Sequence, residues 1–190
     1  GRDAGDHLGE GDGVGLALEA EGAADDVEQD PEFGVRELGH QDADRDRAAG
    51  ELARLLRPGG VAFVAVMPRY AFLRRTLALP DERHRLADPA FVARVLEEGV
   101  FANDVPGRFT GAHGVRPAEV APFFEGHGFA TRVLLACEGI VADLQEALAE
   151  LIANDPAMVE KVLDRVFATA ADPSILGMSA HLLYVGTRAG

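Results

Sequence analysis

The chain has 190 residues, 47% of them hydrophobic, and a formal net charge of −14, a size and composition that suit one domain with a sizeable core. This acidity disfavours nucleic acids and anionic membranes as partners, because binding phosphate groups requires a basic surface. No run of roughly 18 apolar residues predicts a membrane span, and no signal peptide is visible, so we expect a cytoplasmic protein.

Residues 1–43 form an acidic, glycine-rich segment whose composition differs from that of the remaining chain. Residues 1–50 contain 15 Asp and Glu residues against 4 Lys and Arg residues, and they hold ten of the 22 glycines. No run of four or more apolar residues there resembles a buried strand. Ordering the backbone costs about 1–2 kcal/mol per residue, and few apolar side chains are present to offset it. We therefore predict that residues 1–38 are loosely packed.

A helix, a forced stop and a strand follow in residues 44–67. Leucines recur at helical spacing in residues 44–57, and the Pro-Gly-Gly turn at residues 58–60 ends this helix and allows a sharp reversal. The run of residues 61–67 is apolar without alternation, which is typical of a central strand buried on both faces in a parallel sheet. The pattern predicts one helix–turn–strand step of an α/β domain.

The rest of the chain alternates helices and strands. We predict a turn and short helix at 68–79, a helix at 88–98, a mobile surface loop at 101–115, a helix at 117–127, a strand at 129–137, helices at 141–153 and 156–169, and a last strand at 180–186. Cys137, the single cysteine, lies in an apolar run and is predicted to be a buried structural thiol. Glu138 is predicted to cap the turn that follows.

Four motifs in this order resemble class I S-adenosylmethionine-dependent methyltransferases of a bacterial branch. They are ELARLLRPGG at residues 51–60, RPAEV with FFEGHGF at 116–129, Glu138-Gly139, and SAHLLYVG at 179–186. The resemblance covers roughly residues 44–188 and implies an α/β fold with a Rossmann-like, doubly wound sheet. Residues 44–190 would be the C-terminal part of the methyltransferase domain, with its last two strands as an antiparallel hairpin.

The N-terminal half of that sheet is incomplete in this sequence. Such an enzyme needs about 100 residues of strands and helices before the Pro-Gly-Gly turn on typical element lengths. Only about half of that length precedes the turn here, and its composition is poorly suited to a core. We therefore expect the upstream part to be truncated or to derive from a shifted reading frame.

The resemblance implies S-adenosylmethionine as the cofactor and methyl transfer to a small-molecule acceptor. In the family the cofactor lies on a glycine-rich turn after the first strand, and the candidates here are Gly11, Gly13 and Gly15. No strand pattern precedes these glycines, so a flexible acidic loop is the alternative. Methyl transfer from a sulfonium mainly requires alignment of the reactants and exclusion of water, and the resemblance therefore assigns no catalytic residue.

Three residues are candidates for binding the acceptor. Arg69 and Tyr70 follow the strand at 61–67, and ligands of doubly wound sheets lie beyond the carboxyl ends of the strands. Arg69 would bind an anionic group; its alternative is a solvated turn residue, with Tyr70 packing a helix. His113 in the predicted loop is a candidate base or binding residue, and its alternative is a bystander. No His or Cys pair has metal-ligand spacing, so we expect no metal site.

Two other functions remain open from the sequence. A pyridine-nucleotide-dependent oxidoreductase would use a similar sheet, but it requires a G-x-G-x-x-G turn after a first strand. A non-catalytic methyltransferase fragment that lacks the cofactor half would bind a partner at most.

Overall fold

The computed structural model of the chain describes residues 41–102 and 111–190. The predicted loose packing of residues 1–38 and the three candidate glycines lie outside these residues. The described elements are α1 (Gln41–Leu55), β1 (Val61–Val66), α2 (Arg69–Ala78), α3 (Pro89–Ala93), β2 (Val100–Ala102), β3 (Gly111–His113), α4 (Pro117–Gly126), β4 (Phe129–Ala136), α5 (Gln145–Asn154), α6 (Pro156–Thr169), α7 (Pro173–Leu176) and β5 (Leu182–Arg188).

The main sheet has three described strands in the order β1-β5-β4. Strand β5 is antiparallel to both neighbours, so β1 and β4 run parallel to each other. Strands β2 and β3 form a separate antiparallel pair. The fold is mixed α/β, as predicted, and the predicted antiparallel hairpin of the last two strands of the sheet is confirmed.

One face of the main sheet is covered by α1 and α4. Phe124 of α4 stacks on Tyr184 of β5 with ring centroids 4.2 Å apart. Tyr184 is completely buried, and its hydroxyl lies 3.3 Å from the hydroxyl of Thr131 on β4. Ala49 and Ala53 of α1 belong to the same cluster, and their small side chains let this helix approach the sheet closely. The cluster holds both helices on one face.

Strand β1 corrects the prediction of a central strand buried on both faces. Ala62 is buried on the face that α1 and α4 cover, whereas Phe63 is 55% exposed on the opposite face and Ala65 is exposed as well. Within the described residues β1 pairs only with β5 and therefore lies at an edge of the sheet. An apolar run without alternation is compatible with a strand that is buried on both faces. Whether both faces are buried depends on the helices and strands that pack against it, and the run itself does not specify these.

The predicted surface loop at 101–115 is wrong at both of its ends. Phe101 lies on β2, is fully buried and stacks on Phe72 with ring centroids 4.9 Å apart. Val115 is also buried, and its backbone N–H donates to the carbonyl of Met67 at 2.9 Å. Phe101 thus belongs to a second core cluster, and Val115 belongs to the cluster under α1 and α4. Residues 103–110 lie outside the described part.

Smaller corrections concern element ends and the cysteine. The last strand begins at Leu182 and not at residue 180, because the backbone N–H groups of Ala180 and His181 donate to the Glu138 carboxylate and not to a neighbouring strand. The helix predicted at 141–153 begins at Gln145, after a short 3-10 turn at Gly139–Val141. Cys137 is exposed, because β4 ends one residue before it.

The close approach at Gly114 generates a stability prediction. A Cβ at residue 114 would lie 2.6 Å from Cε2 of Phe72 and 2.7 Å from Cα of Arg69. We expect Gly114→Ala to lower the free energy of unfolding by about 1–3 kcal/mol, because the overpacked contact includes backbone. Urea denaturation measures this change.

Gly126→Ala is the matched control for this substitution. Gly126 is the last residue of α4, and a Cβ there would meet nothing within 4 Å. Alanine should leave the free energy of unfolding unchanged or raise it by up to about 1 kcal/mol. Equal effects of the two substitutions would contradict the close approach at Gly114.

Candidate functional site

The carboxyl ends of β1 and β4 meet at one edge of the sheet. The register places Val66, Leu182 and Ala136 in one row across the three strands. The residues just past this row are therefore neighbours, although they come from distant parts of the chain. In α/β sheets with parallel strands this edge is where ligands bind.

A cluster of polar groups centred on Glu138 lies at this edge. Its carboxylate accepts hydrogen bonds from the Ser179 hydroxyl, from the backbone N–H groups of Ala180 and His181, both at 2.9 Å, and from Nδ1 of His181 at 2.7 Å. The Ser179 oxygen in turn accepts from the backbone N–H of Glu138 at 3.1 Å. These bonds join the end of β4 to the start of β5. The Glu138 side chain makes no capping bond to the turn that follows it, which corrects the predicted capping role, because its oxygens are bonded to the segment before β5.

The cluster keeps Glu138 ionised far into the acid range. Partial burial acts to raise the pKa of its carboxyl, but the hydrogen bonds from Ser179 and His181 outweigh this effect and lower the pKa to about 2. Protonation would turn one carboxylate oxygen into a donor and remove the negative charge, which weakens the hydrogen bonds from these donors. Although Cys137 is exposed as a whole, partial desolvation of its thiol and the neighbouring Glu138 charge raise the pKa of the thiol, which is therefore not activated as a nucleophile.

The Glu138 carboxylate also orients the imidazole of His181. An ionised carboxylate only accepts hydrogen bonds, so Nδ1 of His181 donates to it and carries a proton. In the neutral ring Nε2 is then the acceptor atom, and it has no hydrogen-bond partner among the described residues. The His181 side chain is about half exposed, so an oriented proton acceptor faces the surface at this edge. In the sequence, His181 and Ser179 stand out only as members of the SAHLLYVG motif.

Arg69 occupies a different position from the one that its sequence context suggested. Its side chain is 4% exposed, and each of its five N–H groups is directed at a protein acceptor. The acceptors are the carbonyls of Gly114 (3.3 Å), Leu96 (3.0 Å) and Glu97 (3.1 Å) and both carboxylate oxygens of Glu119 (3.4 and 3.1 Å). The guanidinium thus joins α2 to three other parts of the fold. Its assignment to substrate binding stays a prediction.

The other candidate residues are dispersed. Tyr70 is 44% exposed on α2. His113 lies half-buried on β3, opposite Val100, and it precedes the glycine whose carbonyl Arg69 binds. Arg69 is thus linked by a hydrogen bond to the backbone of the residue that follows His113. Gly11, Gly13 and Gly15 lie outside the described residues, and their role as a cofactor turn stays a prediction.

An apolar groove of about 350 Å³ runs beside β1, between α1 and α4. Its apolar walls include Leu52 and Leu55 of α1 and Val120 and Phe123 of α4. The charged residues that line it are Arg45, Glu51 and Glu119. Glu51 is bonded to Arg54 and Glu119 to Arg69, so most of the charge around the groove is already neutralised within the protein.

The described part of the chain contains neither a cluster of metal-binding side chains nor a membrane-spanning helix. In residues 41–102 and 111–190 no three His, Cys, Asp or Glu side chains come together as a metal site would require. None of the helices in these ranges is both long enough and apolar enough to cross a membrane.

Among known proteins, the similarity is to solved structures and not to a family model or a curated sequence. No protein-family model matches the chain, and no curated protein matches its sequence. The fold is similar to the crystal structure of a SAM-dependent methyltransferase from Methanosarcina mazei, with 14% identity and a TM-score of 0.41. The match covers 77% of this chain and 52% of that one, so the chain spans about half the length of that protein.

The Glu138 cluster predicts a pH-dependent contribution to stability. The pKa of Glu138 is about 2 in the folded chain and near 4.5 in the unfolded one, so ionisation favours the fold above pH 4.5. Glu138→Gln should lower the free energy of unfolding at pH 7. This difference from the unsubstituted chain should shrink as the pH falls from about 4.5 towards 2. Urea titrations at pH 7, 5, 4 and 3 measure it.

A second carboxylate serves as the control for the Glu138 variant. Glu150 is exposed on α5, so Glu150→Gln should change the unfolding free energy little at any pH. A Glu138→Gln effect that persisted undiminished down to pH 3 would contradict the ionised cluster.

The Arg69 contacts predict a structural effect that lysine cannot rescue. Arg69→Lys keeps the positive charge but loses the planar fork, and three ammonium donors in place of the guanidinium lose at least two of the five hydrogen bonds. We expect a loss of about 2–3 kcal/mol in the free energy of unfolding. Arg57→Lys, at an exposed turn position, should change it by less than about 0.5 kcal/mol. A stable Arg69→Lys variant would instead favour a role in ligand binding.

Proposed function

We propose that residues 44–190 are the C-terminal part of an S-adenosylmethionine-dependent methyltransferase domain that acts on a small molecule. The observation that carries the proposal is the sheet order: β5 enters between the parallel strands β1 and β4 as an antiparallel strand. The motifs that resemble the family fall at the corresponding junctions. ELARLLRPGG spans the end of α1 and the turn into β1, and SAHLLYVG spans the entry into β5.

The described residues do not by themselves suit the cofactor. Adenosylmethionine carries a carboxylate, an ammonium group and ribose hydroxyls, and a site for it needs placed polar groups. The groove beside β1 is lined mainly by apolar side chains, and the donors of Arg69 and the carboxylate of Glu138 are engaged within the protein. Cofactor contacts would therefore have to come from residues outside the described part, with Gly11, Gly13 and Gly15 as the candidates.

The nature of the acceptor is proposed from charge. A net charge of −14 disfavours a nucleic acid, and it favours a small neutral or cationic acceptor in a cytoplasmic protein. Within residues 41–102 and 111–190, one edge and one face of β1 are uncovered. This keeps the non-catalytic fragment as the second candidate, since a complete enzyme of this class would cover both.

Titration of adenosylhomocysteine into the full chain tests the proposal, with NADH as the matched control ligand. A cofactor crevice that must be ordered on binding loses affinity. We therefore expect weak, saturable binding of adenosylhomocysteine, with a dissociation constant of roughly millimolar order, and none of NADH. Ligand-observed NMR detects such binding, and calorimetry measures it when it is tighter.

The outcomes separate the three functions. A micromolar dissociation constant for adenosylhomocysteine would contradict the incomplete site and support Gly11, Gly13 and Gly15 as the cofactor turn. Absence of any binding would favour the non-catalytic fragment. Preferential binding of NADH would contradict the methyltransferase and favour the oxidoreductase.

A further inference from the structure

Among the described residues, one edge of β1 has no neighbouring strand, and this free edge presents backbone hydrogen-bonding groups. Arg188 of β5 donates its backbone N–H to the carbonyl of Gly60 at 2.8 Å, and in an antiparallel ladder the bonded positions alternate along the strand. Val61, Phe63 and Ala65 therefore direct their N–H and C=O groups away from β5. The next outward carbonyl, that of Met67, already accepts from Val115. The open stretch is thus five residues long, from residue 61 to residue 65.

The surroundings of this edge suit an extended apolar segment. The groove of about 350 Å³ lies beside it, and the flanking side chains of Leu55 and Phe63 are 62% and 55% exposed. An exposed edge strand next to apolar surface favours pairing with a further strand, because pairing satisfies the backbone groups and buries the side chains. Polar ligands would leave most of this surface unmatched.

One segment outside the described part has the matching pattern. In residues 14–20, with the sequence VGLALEA, the larger apolar residues Val14, Leu16 and Leu18 alternate with Gly15, Ala17 and Glu19. Alternation with a period of two is typical of a strand that is buried on one face. The two small residues would fit beside Phe63, which projects from the opposite face of the sheet. Seven residues suffice to cover the open stretch.

The chain length between this segment and the groove permits the contact. Residues 21–40 join the segment to Gln41, where α1 begins, and α1 itself forms one wall of the groove. Twenty extended residues span up to about 66 Å, whereas a helix of the length of α1 measures only about 22 Å. A tether of this length gives an effective concentration of roughly millimolar order. A second copy would have to compete from solution against a net charge of −14 on each chain.

We propose that residues 14–20 add to the free edge of β1 as a further strand and place their larger apolar side chains in the groove between α1 and α4. The proposal does not rest on methyltransferase activity or on cofactor binding. It assigns Gly15 to strand pairing, which competes with its candidate role in a cofactor turn. It also predicts that these seven residues are ordered, in place of the loose packing predicted from composition.

Residue-resolved amide exchange by NMR on the full chain tests the added strand. In the unsubstituted monomer the N–H groups of Phe63 and Ala65 should exchange at least about tenfold more slowly than in the double variant Leu16→Asp/Leu18→Asp. Val27→Asp/Val35→Asp is the matched control, because it adds the same charge to the same N-terminal region outside the alternating pattern. This control should leave the exchange of Phe63 and Ala65 unchanged.

Internal references keep the result interpretable. The N–H groups of Val64 and Val66 point towards β5, so their protection in every variant shows that the sheet is intact. Fast exchange of Phe63 and Ala65 in the unsubstituted chain would overturn the proposal, and so would protection that survives Leu16→Asp/Leu18→Asp. Protection that rises with protein concentration, together with a dimer mass in light scattering, would overturn it in favour of a second copy.

Discussion

The described part of the sheet is joined through β5, because this strand lies between β1 and β4 and is antiparallel to both. Its inner face also carries the centre of the core. Tyr184 is completely buried against Phe124, and its ring lies over Gly186, where a Cβ would come within 2.4 Å of the Tyr184 oxygen. The ring reaches Thr131 on β4 because the residue two positions on along the strand has no side chain. Loss of β5 would therefore separate β1 from β4 and would also remove the central side chain of the core.

Two polar clusters hold the carboxyl edge of the sheet on either side of this strand. Arg69 directs its whole guanidinium at backbone carbonyls and Glu119, which fixes the segment after β1. Glu138 collects donors from the segment before β5. Both are charged groups with several hydrogen bonds, the arrangement in which a buried or half-buried charge favours the fold. Glu138 differs because its carboxylate holds Nδ1 of His181 and so orients Nε2 of the same ring towards solvent.

The two faces of β1 differ in burial and its two edges differ in backbone pairing, and this difference bears directly on function. Its inner face lies under α1 and α4, while Phe63 and the outward backbone groups meet no described partner. A doubly wound sheet binds its ligand where strands on both sides contribute loops. The described residues supply loops on only one side of such a site, and the charged groups of the Arg69 and Glu138 clusters there are already paired within the protein. An apolar groove lies beside β1, where the other side would begin. Methyl transfer therefore remains a proposal that rests on the order of the elements.

The sequence by itself determined the elements whose signals are local. Pro58 and the two following glycines end α1 and begin β1 wherever the neighbours lie, and the apolar runs predicted all three strands of the main sheet. Only the tertiary structure decided which groups are paired. Glu138 meets His181 across 43 positions, Arg69 meets Glu119 across 50, and the exposure of Phe63 depends on which strands stand beside it. Periodicity is a property of neighbouring residues in the chain, whereas burial and hydrogen bonding depend on distant residues that only the folded sheet brings together.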